Sequence, residues 1–265
     1  MIIFLVISLI FSCEIVSAQS LSDGKLRRIG FDQNLGAAVS LDLSFRDESG
    51  KPVQLGTYFG KKPVILVLGY YGCPMLCTMV LNGLIGGLQD IPMEMGRDYE
   101  VVNVSIDPKE TSALAAAKKQ TYVSRFGRPN AANGWHFLTG DEPAIQKLAG
   151  EVGFNYLYDT ASRQYAHPSG LVILSPQGKI SHYLSGVVFT GEDLSEALKD
   201  AAGAKVGSPI EQLFLLCFHY SPMTGKYSGL VLAVVRITSV AVLVLLAACI
   251  AGAWRRTRRT RRVET

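Results

Sequence analysis

Residues 64–77 read Val64-Ile-Leu-Val-Leu-Gly-Tyr-Tyr-Gly-Cys-Pro-Met-Leu-Cys77. The opening five are apolar and rich in β-branched side chains, with Lys61-Lys62-Pro63 before them and Gly69 after. Such a run, bounded by breakers, predicts a central strand buried on both faces. From Leu76 to Leu88 apolar residues recur at helical spacing. Two cysteines therefore sit where a buried strand turns into a helix. Outward from this point the pattern alternates. Tyr99 to Ile106 reads as a strand, Thr111 to Phe126 as a helix, Trp135 to Leu138 as a strand and Pro143 to Val152 as a helix. Leu171–Leu174 and Ile180–Leu184 flank the turn Ser175-Pro-Gln-Gly178, which predicts a hairpin. Thr190-Gly-Glu-Asp193 opens a last helix, to about Ala202, in capping-box fashion. Upstream, Phe45 to Gly50 reads as a turn between two short strands. The expected fold class is α/β, a thioredoxin-like fold with an inserted β-hairpin, plus a C-terminal transmembrane helix.

The ends of the chain differ from its middle. Residues 1–18 are an apolar run closed by Val16-Ser17-Ala18, the shape of a signal peptide cleaved after Ala18. Two other outcomes stay open: an uncleaved anchor, because no Lys or Arg precedes the run, and lipidation at Cys13, which Phe11 disfavours. All three carry the globular part out of the cytoplasm. Residues 19–39 form a lead-in, 40–202 the globular domain, and 203–229 a linker with a membrane-proximal segment. Ile237 to Trp254 is free of charge, and with Arg236 at the interface the span extends over 230–254. Residues 255–265 carry six arginines. Positive flanks stay cytoplasmic, so the expected arrangement is a single-pass inner-membrane protein with its globular domain periplasmic and its C-terminus cytoplasmic. The whole chain holds 26 basic and 22 acidic residues, and the tail alone supplies the basic excess. A nucleic-acid partner would need a basic face on the domain itself, so none is expected.

Cys73 and Cys77 are spaced i, i+4, which on a helix stacks two side chains on one face. A helix N-terminus favours thiolates, and soft thiolates favour Cu(I), with zinc as a rival. Three readings compete. A structural disulfide would close so short a loop that little chain entropy is removed. A thioredoxin-type redox pair prefers C-x-x-C, one residue shorter. Copper binding, with redox chemistry beside it, is the third. Two thiolates need a further ligand, and the chain has four histidines: His136, His167, His182 and His219. His167 precedes the hairpin, in a loop able to face the cysteine turn, and is expected to sit at the loop mouth and contribute little to the core. For His136 and His182, placed in strands, ordinary packing is expected.

The chain resembles the Sco/SenC family of thioredoxin-fold copper chaperones for cytochrome c oxidase. The likeness rests on the strand into Cys-Pro-x-x-Cys at Val64–Cys77, and on Val104-Ser-Ile-Asp-Pro108 with Thr111 beyond. It rests also on Trp135-His-Phe-Leu-Thr-Gly140, and on His167 ahead of an apolar strand and Ser-Pro-Gln-Gly178. The resemblance implies that Cys73, Cys77 and His167 ligate copper. It implies further that Cys73/Cys77 can cycle as a redox pair, and that the partner is the copper-centre subunit of a respiratory oxidase. This chain departs from the family pattern at Met75, Thr78 and in its C-terminal anchor. Three functions stand as rivals: a copper chaperone, a membrane-bound thiol-disulfide reductase acting on copper-site cysteines, and a peroxide-reducing thiol enzyme. The last would need Thr or Ser three residues before its cysteine, where Tyr70 stands. Cys217 and His219, with Met223 nearby, are an accessory soft-metal candidate, and Cys249 lies within the expected span.

Overall fold

A computed structural model describes residues 29–206 except 74 and 161, together with 220–221, 226–227, 237–239, 242–243 and 246. In chain order the elements are β1 (Gly30–Phe31), β2 (Ser44–Arg46), β3 (Pro52–Gln54), a 3-10 turn (Leu55–Tyr58), β4 (Val64–Gly69) and α1 (Leu76–Gln89). Then come β5 (Glu100–Ser105), α2 (Ser112–Phe126), α3 (Ala131–Gly134), β6 (Trp135–Leu138) and α4 (Glu142–Glu151). The domain closes with β7 (Phe154–Asn155), β8 (Leu157–Asp159), β9 (Gln164–Ala166), β10 (Gly170–Leu174), β11 (Ile180–Ser185) and α5 (Gly191–Ala202).

The five-stranded sheet runs β11-β10-β4-β5-β6. β4, β5 and β6 are parallel, whereas β10 is antiparallel to both β4 and β11. β4 is the middle strand, and its alternation shows why it reads as continuously apolar. Ile65 and Val67 enter one buried cluster, with side chains of α1, α2 and α5. Val64, Leu66 and Leu68 enter the other, with Ile145 and Leu148 of α4 and Phe45 of β2. Both faces of the sheet are covered, so a strand at its centre has no polar side to offer.

Helix starts follow side-chain chemistry. Thr111 accepts from the amide of Leu114 (3.3 Å), Asp141 from that of Ala144 (3.1 Å) and Thr190 from that of Asp193 (3.1 Å). α2 stops at Gly127, whose φ of 69° lies in the left-handed region. The loop after β11 presses on α1 so closely that a Cβ at Gly83 would lie 2.0 Å from the Val187 carbonyl oxygen.

The hairpin expected at 171–184 forms as β10–β11, but it belongs to the central sheet. The insertion is a second hairpin, β8–β9, in the stretch between α4 and β10. It carries Leu157, Tyr158 and Tyr165, and its short strands gave no sustained alternation to read. Gly30–Phe31, within the lead-in, pairs with β7.

The chain divides into two units, Met1–Gly207 and Ser208–Thr265. In the second, Tyr220–Ser221 pairs with Lys226–Tyr227. Ile237, Val242, Leu243 and Leu246 are helical and leave their apolar side chains exposed. Among the described residues no helix is long and apolar enough to cross a membrane. The signal segment, most of the expected span and the arginine tail lie outside the described residues, as do Cys13, Cys217, His219, Met223 and Cys249.

Candidate metal centre

β4 delivers the chain to the top of the sheet and Gly69 lets it turn. A Cβ at Gly69 would sit 2.9 Å from the Cys77 sulfur, so only glycine leaves room for the returning thiol. The amide of Tyr70 donates to that sulfur at 3.4 Å. α1 begins at Leu76 and no side chain caps it. The Cys73 sulfur takes the role instead, accepting from the amide of Cys77 at 3.5 Å and from that of Met75. First-turn amides have no partner within the helix, so a sulfur placed there is stabilised as its anion.

The thiols share one proton unequally. The Cys73 thiol is pulled down to about 3, chiefly because the Cys77 thiol donates to it, against the opposing effect of burial. Cys77 is pushed up by that same bond, by burial and by the charge on Cys73. Cys73 is thus the thiolate and Cys77 holds the proton. Both cysteines are free.

His167 arrives from β9, ninety residues after Cys77, and its Nε2 lies 3.3 Å from the Cys77 sulfur. Its Nδ1 is 2.8 Å from the Pro168 carbonyl oxygen. A carbonyl only accepts, so Nδ1 carries a hydrogen and Nε2 is the ring nitrogen that faces the sulfurs. The ring stacks on Phe154 at 5.8 Å and meets the edge of Tyr70 at 5.9 Å. It is 2% exposed, so the expected loop-mouth side chain is in fact a packed one. The reason is β8–β9: Tyr165 packs against Tyr70 and Tyr156, and this aromatic layer covers the imidazole.

The two sulfurs and the imidazole nitrogen all lie within 4.8 Å of one another. Metal bonds to thiolate and imidazole of about 2.0–2.3 Å let donors on one ion stand up to roughly 4.6 Å apart, so the set is close to the span of a single ion. Its composition is soft. His136 and His182 lie elsewhere. His136 faces the Glu100 carboxylate at 3.1 Å and packs on Tyr58, while His182 bonds Ser181.

The sequence reading missed Glu110. One carboxylate oxygen accepts from the Tyr71 amide (2.7 Å) and the Ser105 hydroxyl (2.5 Å), the other from the Gly72 amide (2.5 Å). It pins the cysteine turn to the end of β5. Tyr70 and Phe154, the two rings against His167, were missed as well. The only sequence signal was an acidic residue close behind a strand end, which is too common to read.

Fold and site together define a thioredoxin-like domain that brings a dithiol and a distant imidazole to one point beside a helix N-terminus. The chain belongs to the SCO1/SenC family, whose model matches residues 32–203. Among solved structures it is similar to a candidate electron transfer protein from Aquifex aeolicus VF5, with 27% identity and a TM-score of 0.56 over 64% of this chain and 95% of that one. A SCO1/SenC family lipoprotein from Bacillus anthracis str. Ames is 20% identical, with a TM-score of 0.53 over 65% of this chain and 99% of that one. Arabidopsis thaliana ScoI, solved with copper bound, is 22% identical, with a TM-score of 0.50 over 64% and 99%. These last two likenesses speak to the fold alone. Comparison with curated protein sequences gives no match.

Proposed function

We propose that this chain is a membrane-anchored, extracytoplasmic copper chaperone. Cys73, Cys77 and His167 hold Cu(I) as cargo, and the acceptor is the copper-centre subunit of a respiratory oxidase. The observation that carries the reading is the 3.3 Å approach of His167 Nε2 to the Cys77 sulfur, with Nδ1 held by the Pro168 carbonyl. In dithiol exchange such an imidazole would serve only as a base for the Cys77 thiol, whereas a soft cation held by two thiolates takes it as the third ligand. Family membership supports the acceptor. Anchoring is supported by the charge-free stretch Ile237–Trp254 and by the exposed apolar side chains of its described helical residues. A reporter fused after Thr265 is expected to be active only in the cytoplasm, and activity on the far side of the membrane overturns the orientation.

One observation favours the reductase reading: the uneven proton between Cys73 and Cys77 also suits a nucleophile and a resolving thiol. A Cu(I) titration of the reduced full chain against a competing chelator, repeated across neutral pH, separates the two. The chaperone takes one ion per chain. Cys73 is already ionised and Cys77 still protonated, so one proton leaves on binding and affinity rises about tenfold per pH unit. Had both thiols held protons, the rise would be about a hundredfold per unit. A reduced chain that retains no copper, yet reduces the disulfide of a copper-site peptide, is a reductase.

A further inference from the structure

Two of the three inner ligands are closed off from solvent, while Cys77 is half-buried. Cys73 is 8% exposed and His167 2%. Beside them the domain displays two large apolar side chains that its core does not use. Met75 is 67% exposed and Met79 45%. Met75 is the residue that precedes α1, and its carbonyl accepts from the Met79 amide at 3.1 Å, so the two flank the first turn of the helix. Both side chains project into solvent at the end of the helix that carries Cys77. Their neighbours face the other way: Leu76 packs against the core and Thr78 lines the cavity shared with both cysteines. Met75 lies two residues after Cys73 and two before Cys77, so its backbone stands between the two thiol ligands.

We propose that Met75 and Met79 form an outer thioether site that receives Cu(I) and passes it inward to Cys73, Cys77 and His167. The inference rests on the copper reading above and adds the route by which the ion enters and leaves. Thioethers are soft enough to select Cu(I), and methionine side chains are flexible enough to swing it. The transfer is a ligand exchange in which copper stays Cu(I) and no electron moves. The Cys73 thiolate forms its bond to copper as the Met79 sulfur releases it. Cys77 loses its proton to the buffer as its own sulfur binds. Met75 lets go as the Nε2 lone pair of His167 takes the third position.

The test uses the full chain, without oxygen, with the methionine methyl groups isotopically labelled and Cu(I) supplied as its acetonitrile complex. In the double variant Cys73→Ser/Cys77→Ser, Cu(I) is expected to shift the methyl resonances of Met75 and Met79 and those of no other methionine in the domain. Because those substitutions alter the turn, the wild-type chain preloaded with one equivalent is measured too, and a second equivalent is expected to move the same two resonances. Met75→Leu/Met79→Leu, which conserves volume, is expected to slow both loading and chelator stripping by about tenfold. Resonances that stay still in both preparations, or unchanged rates in the leucine variant, overturn the outer site while leaving inner copper binding intact. Wild-type protein that shows the methyl shifts but loses its copper to a weak chelator overturns the chaperone reading and the inward transfer with it, and leaves Met75 and Met79 only as a surface thioether contact.

Discussion

Cys73 and Cys77 lie four residues apart and their sulfurs are held by backbone amides: those of Met75 and Cys77 for one, that of Tyr70 for the other. His167 lies ninety residues further on and is held by rings, between Phe154 and the edge of Tyr70. The thiols belong to a turn shaped by the strand, Gly69 and the helix start, with Glu110 as its one described side-chain tether from further along the chain. The imidazole belongs to the packing of the whole far side of the domain. One half of the site is therefore set by local geometry and the other by tertiary burial, and the two halves should fail differently.

The sharpest break comes from substituting the ligands. Cys73→Ser or Cys77→Ser replaces a soft sulfur by a hard hydroxyl of nearly the same size, and is expected to abolish tight Cu(I) binding. Because amides hold that turn, stability should change by about 1 kcal/mol or less. His167→Ala should leave weaker copper binding through the two thiolates, yet lose about 2–4 kcal/mol of stability through the cavity opened beside Phe154. Chelator competition ranks the affinities and urea unfolding ranks the stabilities, and the two orders should be opposite. If His167→Ala unfolds at the wild-type midpoint, the contrast between the halves is wrong.

That same contrast explains what could be read in advance. The strand at 64–69 and the helix from Leu76 announce themselves by apolar pattern and breakers, so the cysteines could be placed at a strand-to-helix turn from the residues alone. α5 was legible from its Thr190 cap, and α2 and α4 from helical pattern alone; the caps at Thr111 and Asp141 are what the structure adds. His167 emerged as a ligand because it stood before the hairpin and because the family resemblance pointed to it. Its burial did not emerge. It depends on Phe154, Tyr165 and Tyr70 meeting across the domain, and β8 and β9 are only three residues each, too short for a period of two to declare itself. Glu110 stayed hidden for a related reason. Its three partners are two amides from one loop and a hydroxyl from a strand end, groups that every segment of a chain possesses.

Glu110 offers an intermediate effect, acting on the local half alone. Glu110→Ala removes two charge-assisted bonds to the amides of Tyr71 and Gly72 and one to Ser105, with an expected stability loss of ~2–3 kcal/mol. Since the turn carries both sulfurs, copper affinity should fall by about 10–100-fold although no ligand is lost. Glu110→Gln keeps the shape but turns an NH2 group toward a donor, so it should fall between wild type and alanine in both measurements. A Glu110→Ala protein with wild-type affinity would mean that the turn needs no tether.

Phe154→Leu probes the other half most gently. The ring stacks on His167 and also meets Phe31 and Tyr156, so leucine keeps the site apolar while removing the flat surface that orients the imidazole. Aromatic pairs are worth about 0.5–1.5 kcal/mol beyond simple burial, which sets the stability loss near ~1 kcal/mol and keeps any affinity loss below about tenfold. The affinity loss should appear as faster release to a chelator, because a less constrained ring leaves the third position more often while the thiol turn still captures the ion. If Phe154→Leu weakens copper binding as severely as His167→Ala, the rings do more than orient the ligand. If it leaves the release rate unaltered, the Nδ1 bond to the Pro168 carbonyl is enough to hold His167, and tertiary packing is not what positions the third ligand.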